Sequence, residues 1–219
     1  MSLTPFPISG GSDGGEVARD DPAGQPSWRP ALDAIMGARH GGRVEEMLKT
    51  LHDLDRRHPN VAEINYQLGW TYEVLERAAE AIPFYEKAIA LGLPENELCG
   101  ALLGLGNTLR IVGTAGSEQE PSSAEPHSHG STIKKAVERL RPMNKSAPLL
   151  ARSAEVLRSA IAQFPDNREL EVFLALTLHA QGHCAEALRS VIETLCDTTE
   201  DTGITAYQRA LRHHAGRLL

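Results

Sequence analysis

Aromatic residues are scarce in this chain: 2 Trp, 4 Tyr and 4 Phe make up 5% of 219 residues. Alternating Val/Ile/Thr runs are missing as well, which removes the pattern of a half-buried strand and leaves helices as the elements the periodicity supports. Cysteine is rare. Cys99, Cys184 and Cys196 form an odd set without CxxC spacing, so a disulfide framework is not expected and reduced intracellular thiols are. Basic charge is in deficit, with 22 Lys+Arg against 29 Asp+Glu for a net charge of −7, which argues against a nucleic-acid binder or a binder of anionic membranes. No apolar run approaches the roughly 18 residues that a membrane span needs. The opening MSLTPFPISGGSDGGEVARDD has no charged stretch followed by an apolar one, so no secretory signal is expected and the chain reads as cytoplasmic.

What is present is alanine, leucine and a repeat. Much of the Gly and Pro, 19 and 13 residues, falls in residues 1–30 and 113–148, leaving a body of about one domain by the rough prior of 150 residues each. Leu68-Gly69-x-x-Tyr72 is followed by Ala81-x-x-x-Tyr85-x-x-Ala88 and Gly92-Leu93-Pro94, the order of a helix, a turn near Arg77 and a second helix. Leu105-Gly106-x-x-Leu109, Gly113, and after an interruption Leu157-x-x-Ala160 and Pro165 restate it. Leu174-Ala175-x-x-Leu178, Gly182, Ala187 and Val191 restate it again. Ala160 and Thr194 stand 34 residues apart, a repeat length used by one kind of helix-hairpin array.

These residues resemble the tetratricopeptide repeat (TPR) family, whose pattern is W-x2-L-G-x2-Y, then A-x3-F, then P. Residues 62–94 match best, with Asn65 in place of the large aromatic. Counting back one repeat places a degenerate copy over 28–61, with Gly42 at its turn, Met47, Leu51 and Leu54 on its second helix, and Pro59 closing it. The stretches Trp70–Leu75, Ala81–Leu93 and Ala101–Arg110 are similar to phrases that recur in a small-protein subgroup, TPR group 5. That resemblance implies an all-α fold, a helix-hairpin solenoid wound as a right-handed superhelix, without enzymatic activity.

The expected organisation is a disordered tail over 1–27, then repeats over about 28–61, 62–98, 99–167 and 168–201, and a C-terminal capping helix over 203–217. The cap is read from Ile204, Tyr207, Leu211 and Leu218 at helical spacing after Asp201-Thr202. Gly69 and Gly106 are expected where two helices cross, facing small residues such as Ala81, Ala88, Ala160 and Ala187. Gly113 and Ala160 lie 47 residues apart where an unbroken repeat has 12, so 35 residues, 114–148, are inserted into the third hairpin. The first half of the insertion is Ser/Pro/Gly/Glu-rich and should be disordered. The second half places Ile133, Val137 and Leu140 beside Lys134, Lys135, Arg139 and Arg141, a short basic amphipathic helix that is either a solvated loop or a partner-binding segment.

Chemistry finds little support. His127-x-His129, and His179 with His183-Cys184, are the best metal candidates, yet neither set offers the four ligands of structural zinc. His213-His214 reads as surface. No GxSxG, HExxH, Walker or GxGxxG pattern occurs, so no enzyme, cofactor or metal is expected. Function is assigned to surface shape instead. Residues spaced 3, 4 and 3 apart on each first helix form the inner wall of such an array. They are Glu63, Tyr66, Trp70 and Glu73, then Gly100, Leu103, Asn107 and Arg110, then Glu169, Val172, Leu176 and His179. The partner-binding set is therefore Tyr66, Trp70, Glu73, Leu103, Asn107, Arg110, Leu176 and His179. The resemblance implies that this wall holds a peptide or a helix of another protein. The family's chaperone-binding members carry a Lys/Asn/Arg clamp; Tyr66 and Trp70 stand in the first two places here, so that ligand is not expected. A scaffold or adaptor binding a protein partner is the leading expectation. A regulatory subunit, joined to an enzyme or to itself through its exposed side or the basic insertion, is the alternative.

Overall fold

The computed structural model describes residues 25–38, 42–118 and 146–218. Residues 1–24 of the expected 1–27 tail and the centre of the expected insertion, with its two histidines and basic stretch, lie outside the described residues. Among those described there are nine helices and no strand: α1 (Arg29–Gly37), α2 (Val44–Arg57), α3 (Ala62–Val74), α4 (Ala78–Leu91), α5 (Glu95–Glu118), α6 (Ser146–Gln163), α7 (Glu169–Ala180), α8 (Cys184–Thr198) and α9 (Thr202–Ala215). The chain divides into two compact units whose boundary falls within α5, after Thr108. The first holds α1 to α4 and the start of α5, with residues 162–164; the second holds the rest.

In the first unit α1 packs on α2, α2 on α3, and α3 on α4. The signature positions form the interior: Leu68, Tyr72, Ala81, Tyr85 and Ala88 are all buried, and so are Met47, Leu51 and Leu54 on α2. Asn65, where the family pattern carries a large aromatic, is fully buried too. Its Nδ2 donates to the Val61 carbonyl at 2.7 Å and reaches Asp55 Oδ1 at 3.4 Å. Tyr72 does more than fill space. Its hydroxyl and His52 Nε2 are 2.8 Å apart, its ring stacks on Phe84 with centroids 5.2 Å apart, and Arg77 lies over the ring at 4.8 Å from its centroid. Three helices meet around that ring.

In the second unit α7 packs on α8 and α8 on α9. Ala175, Leu178 and Ala187 make a buried cluster with Leu174 against it. Ser153 of α6 and Thr177 of α7 join their hydroxyls across the interior at 3.0 Å. Asp201 caps α9, accepting from the Ile204 amide at 2.9 Å, which satisfies one orphan donor of the first turn. The covered face of α9 keeps half of the expected set: Ile204 and Leu211 are half-buried beside Gln208 and the buried Ala215, Gln208 donating to the Cys196 carbonyl, whereas Tyr207, 69% exposed, and Leu218 are exposed.

The turns between paired helices are alike. In α7–α8 the Gly182 amide donates to His179 O and the His183 amide to Leu178 O, both at 2.9 Å, with Gly182 at φ +88°. In α3–α4 the amides of Glu76 and Arg77 make the same two bonds to Glu73 O and Tyr72 O. There Glu76 takes the left-handed place at φ +59°, a conformation that an L side chain adopts at a cost.

Two expectations are corrected. Gly113 does not end a helix, because α5 continues to Glu118 and α6 begins at Ser146, so both ends of the expected 114–148 insertion are helical. A Cβ at Gly113 would stand 3.0 Å from Leu150 Cδ2, so the position is a close approach inside a packed helix. In addition, Glu95–Ala115 is long and apolar enough to cross a membrane by length and composition, contrary to the reading of the sequence. More than half of that window is buried inside the protein.

Candidate functional site

The expected wall of α3 and α5 is, for the most part, a packed layer. Tyr66, Leu103 and Asn107 are buried. Gly100 and Gly104, one turn apart on α5, explain how two tyrosines fit: a Cβ at Gly100 would lie 2.5 Å from Tyr66 Oη, and one at Gly104 would lie 2.4 Å from Tyr85 Cζ. Nearer its base the Tyr85 ring meets Gly69, where a Cβ would lie 2.9 Å from Cδ1. Gly104 thus serves the packing of α5 on the preceding hairpin, whereas Gly106, expected at the crossing within the third hairpin, is buried. The two rings are 6.2 Å apart, tilted by 48°.

Glu73 closes this layer. Its carboxylate accepts from Tyr85 Oη at 2.7 Å and from Asn107 Nδ2 at 2.6 Å, so Asn107, expected to hold a ligand's backbone, holds Glu73. Burial, followed by the negative charge and hydrogen bond of Glu73, pushes the Tyr85 hydroxyl well above its usual range; it stays protonated and donates. Tyr66, Leu103 and Asn107 are therefore corrected from open wall to interior. Trp70 and Arg110 are half-buried, Arg110 lying further along α5 in the second unit.

A charged group at the near end of α5 was not anticipated. Arg29 of α1 reaches Asp33 at 3.3 Å and Glu63 of α3 at 3.8 Å. Glu97 of α5 adds its charge to this group, and one of its oxygens is buried without a hydrogen-bond partner. Its pKa is pushed up to about 7, by burial first and then by Glu63, against the pull of Arg29. Arg29, Glu63 and Glu97 are spaced by one repeat length, which was a visible signal in the sequence.

The wall of α7 is different. Glu169, Val172, Leu176 and His179 are all exposed, while Leu170, Ala175, Thr177 and Leu178 of the same helix are buried. Val172 and Leu176 are 38% and 44% exposed. His179 Nδ1 lies 3.5 Å from Cys184 Sγ, and among the described residues no three His, Cys, Asp or Glu side chains gather as metal ligands do.

These hairpins, their small-residue crossings and their turn geometry define a class, the all-α helical-repeat solenoid. The family model described as "Tetratrico peptide repeat", of the TPR_5 type, matches residues 63–165 and 150–218, and the chain belongs to that family. Solved structures place the same fold beside it. MamA from Desulfovibrio magneticus RS-1, residues 41 to the end, is similar at 14% identity and a TM-score of 0.56, covering 87% of this chain and 90% of that one. A MamA RS-1 double mutant is similar at 13% identity and the same score, over 87% and 89%. YrrB, described as a TPR protein with an unusual peptide-binding site, is 16% identical over 87% and 98%, with a TM-score of 0.34. None of the curated proteins matches the chain.

Proposed function

We propose that this chain is a protein-interaction scaffold that holds an extended or helical segment of a partner on the inner faces of its first helices. The observation that carries the reading is the face of α7. Four residues at the wall spacing are exposed there, two of them aliphatic, on a helix whose other side is fully packed. Helical-repeat proteins use the open faces of successive repeats in this way. A segment that presents two apolar side chains one turn apart fits Val172 and Leu176, and a basic residue beside them fits Glu169. Trp70, half-buried on α3, is the aromatic anchor of the corresponding face in the first unit. Because Tyr66, Leu103 and Asn107 are interior and Glu73 is held by Tyr85 and Asn107, the proposed contacts are Trp70 in the first unit and, separately, Arg110, Leu176 and His179 with the added Val172 in the second.

The test is selection from a peptide library on the full-length protein, with Leu176→Glu as the counter-target. Peptides carrying paired apolar residues should bind the wild type and lose at least tenfold in affinity on Leu176→Glu, whose melting should be unchanged. Peptides that bind both proteins equally would place the site elsewhere.

A further inference from the structure

Helix α1 depends on its seat more than any other element of the first unit. It has nine residues, no side-chain cap at its N-terminus and no acidic residue in its first turn. Isolated helices shorter than about 12–15 residues are marginal in water, so α1 is held by what it packs against and not by its own hydrogen bonds. Part of that seat is apolar. Trp28 and Leu32 are 5% and 3% exposed, and the helix packs on α2.

The rest of the seat is electrically unbalanced. Arg29 lies 3.3 Å from Asp33 on its own helix and 3.8 Å from Glu63 of α3. Glu97 of α5 is the third carboxyl group, and the charges acting on it are Glu63 from α3 and Arg29 and Asp33 from α1. Glu95, on its own helix, is exposed, and residues 162–164, which belong to the same unit, carry no charge. A Glu97 carboxylate therefore sets three negative charges around one guanidinium, whereas a protonated Glu97 leaves two. Among the described residues, one Glu97 oxygen and the Trp28 indole Nε1 are also buried without a hydrogen-bond partner. Such atoms regain water only when the contact that buries them opens.

We infer that α1 is a pH-operated end cap of the repeat array, seated while the Glu97 carboxyl is protonated and released, with Trp28 and Leu32, when that carboxyl ionises. The direction of the effect follows from linkage. Glu97 holds its proton up to about pH 7 in the seated state, against an ordinary value of 4.5, so the seating constant falls as pH rises across that interval and is flat above it. A terminal helix that leaves a solenoid bares the neighbour on which it packed, here α2. This cap lies in the first unit and the α7 wall in the second, so either proposal can fail alone.

Fluorine resonances of the full-length protein grown with fluorotryptophan test the cap. Its two indoles, Trp28 and Trp70, give two signals, assigned with Trp70→Phe. Between pH 5 and pH 8 the Trp28 signal should move from a buried position toward that of the free amino acid, with a seating constant lower by roughly tenfold or more. The Trp70 signal should keep its place. In Glu97→Gln and in Glu97→Met, each folded by its helical dichroism, the Trp28 signal should stay buried at both pH values. A Trp28 signal indifferent to pH, or one that moves equally in either Glu97 variant, overturns the inference. A shift shared by Trp70 does so as well, because the first unit would then open as a whole and not by release of α1.

Discussion

Glu73 and Asn107, 34 residues apart, are joined by a 2.6 Å hydrogen bond. Tyr85 Oη donates to the same carboxylate at 2.7 Å, so one half-buried anion ties α3, α4 and α5 together. Hydrogen bonds to charged groups contribute about 1.5–3 kcal/mol where solvent is excluded. Tyr85→Phe should therefore cost about 1–2 kcal/mol in chemical denaturation. Asn107→Ala should cost a similar amount, and the two should couple, since each leaves Glu73 with one donor fewer. Fully additive losses would mean that the carboxylate is satisfied by water and does not link the helices.

Gly104 and Gly100 separate two kinds of crowding. A methyl group at Gly104 meets the ring of Tyr85, which also lies against Gly69 and is held by Glu73, so moving the ring disturbs both contacts. At Gly100 the obstacle is the hydroxyl oxygen of Tyr66 alone, with the ring carbons at 3.4 Å and beyond, so a smaller displacement relieves it. Overpacking costs roughly 1–3 kcal/mol, so Gly104→Ala should fall in the upper part of that range and Gly100→Ala near its bottom. Equal losses would show that the two rings are equally free to shift.

The Arg29, Asp33, Glu63 and Glu97 group makes the first unit sensitive to pH. The pKa of Glu97, at about 7, lies above the ordinary carboxyl value of 4.5, so the folded state holds its proton more tightly than the unfolded state does. Its contribution is fully present below pH 4.5 and is lost as pH rises toward 7. After allowance for its partial exposure, that change is about 1–2 kcal/mol. Glu97→Gln should remove this component and leave the protein more stable than wild type at pH 8. An unchanged pH profile in the variant would place the titration elsewhere.

The paired turns give opposite outcomes for opposite substitutions. Glu76 carries the left-handed backbone that Gly182 supplies in the later hairpin, at a cost of roughly 1 kcal/mol for an L residue. Glu76→Gly should raise stability, and Gly182→Ala should lower it by about 1 kcal/mol, in each case reduced by the change in unfolded-chain entropy. A loss at both positions would mean that the Glu76 side chain makes a contact worth more than the strain.

The hairpins were legible because apolar positions recurring every three or four residues are buried wherever α-helices stack, and Leu68, Tyr72, Ala81, Tyr85 and Ala88 behave in that way. Of the positions expected to form an open wall, only those of α7 are all exposed. Periodicity gives the side of a helix a residue lies on, but not how closely the neighbouring helix approaches. Gly100 and Gly104 let α5 come near enough to bury Tyr66, and Asn107 finds an internal acceptor in Glu73. The ends of the interruption were misread for a related reason. Gly113 looked like a helix stop because glycine usually marks one, yet with Leu150 against it the position is a site of close packing, and that partner lies across a gap the local pattern does not bridge.

Adjacent leucines on α7 separate wall from core. Leu176 is 44% exposed and Leu178 2%, although the two share a helix, a side-chain type and nearly the same place in the chain. Truncating a buried leucine costs about 2–5 kcal/mol through lost transfer energy and the cavity left behind, whereas an exposed one away from special features changes stability by about 0.5 kcal/mol or less. Leu178→Ala should thus melt well below wild type, and Leu176→Glu should melt where wild type does while losing any ligand of the wall. If Leu176→Glu were as damaging as Leu178→Ala, its side chain would be covered in solution and α7 could not serve as a docking face. If it were stable and bound every selected peptide as before, the face would be open but idle, and the scaffold reading would have to rest on Trp70 and the first unit alone.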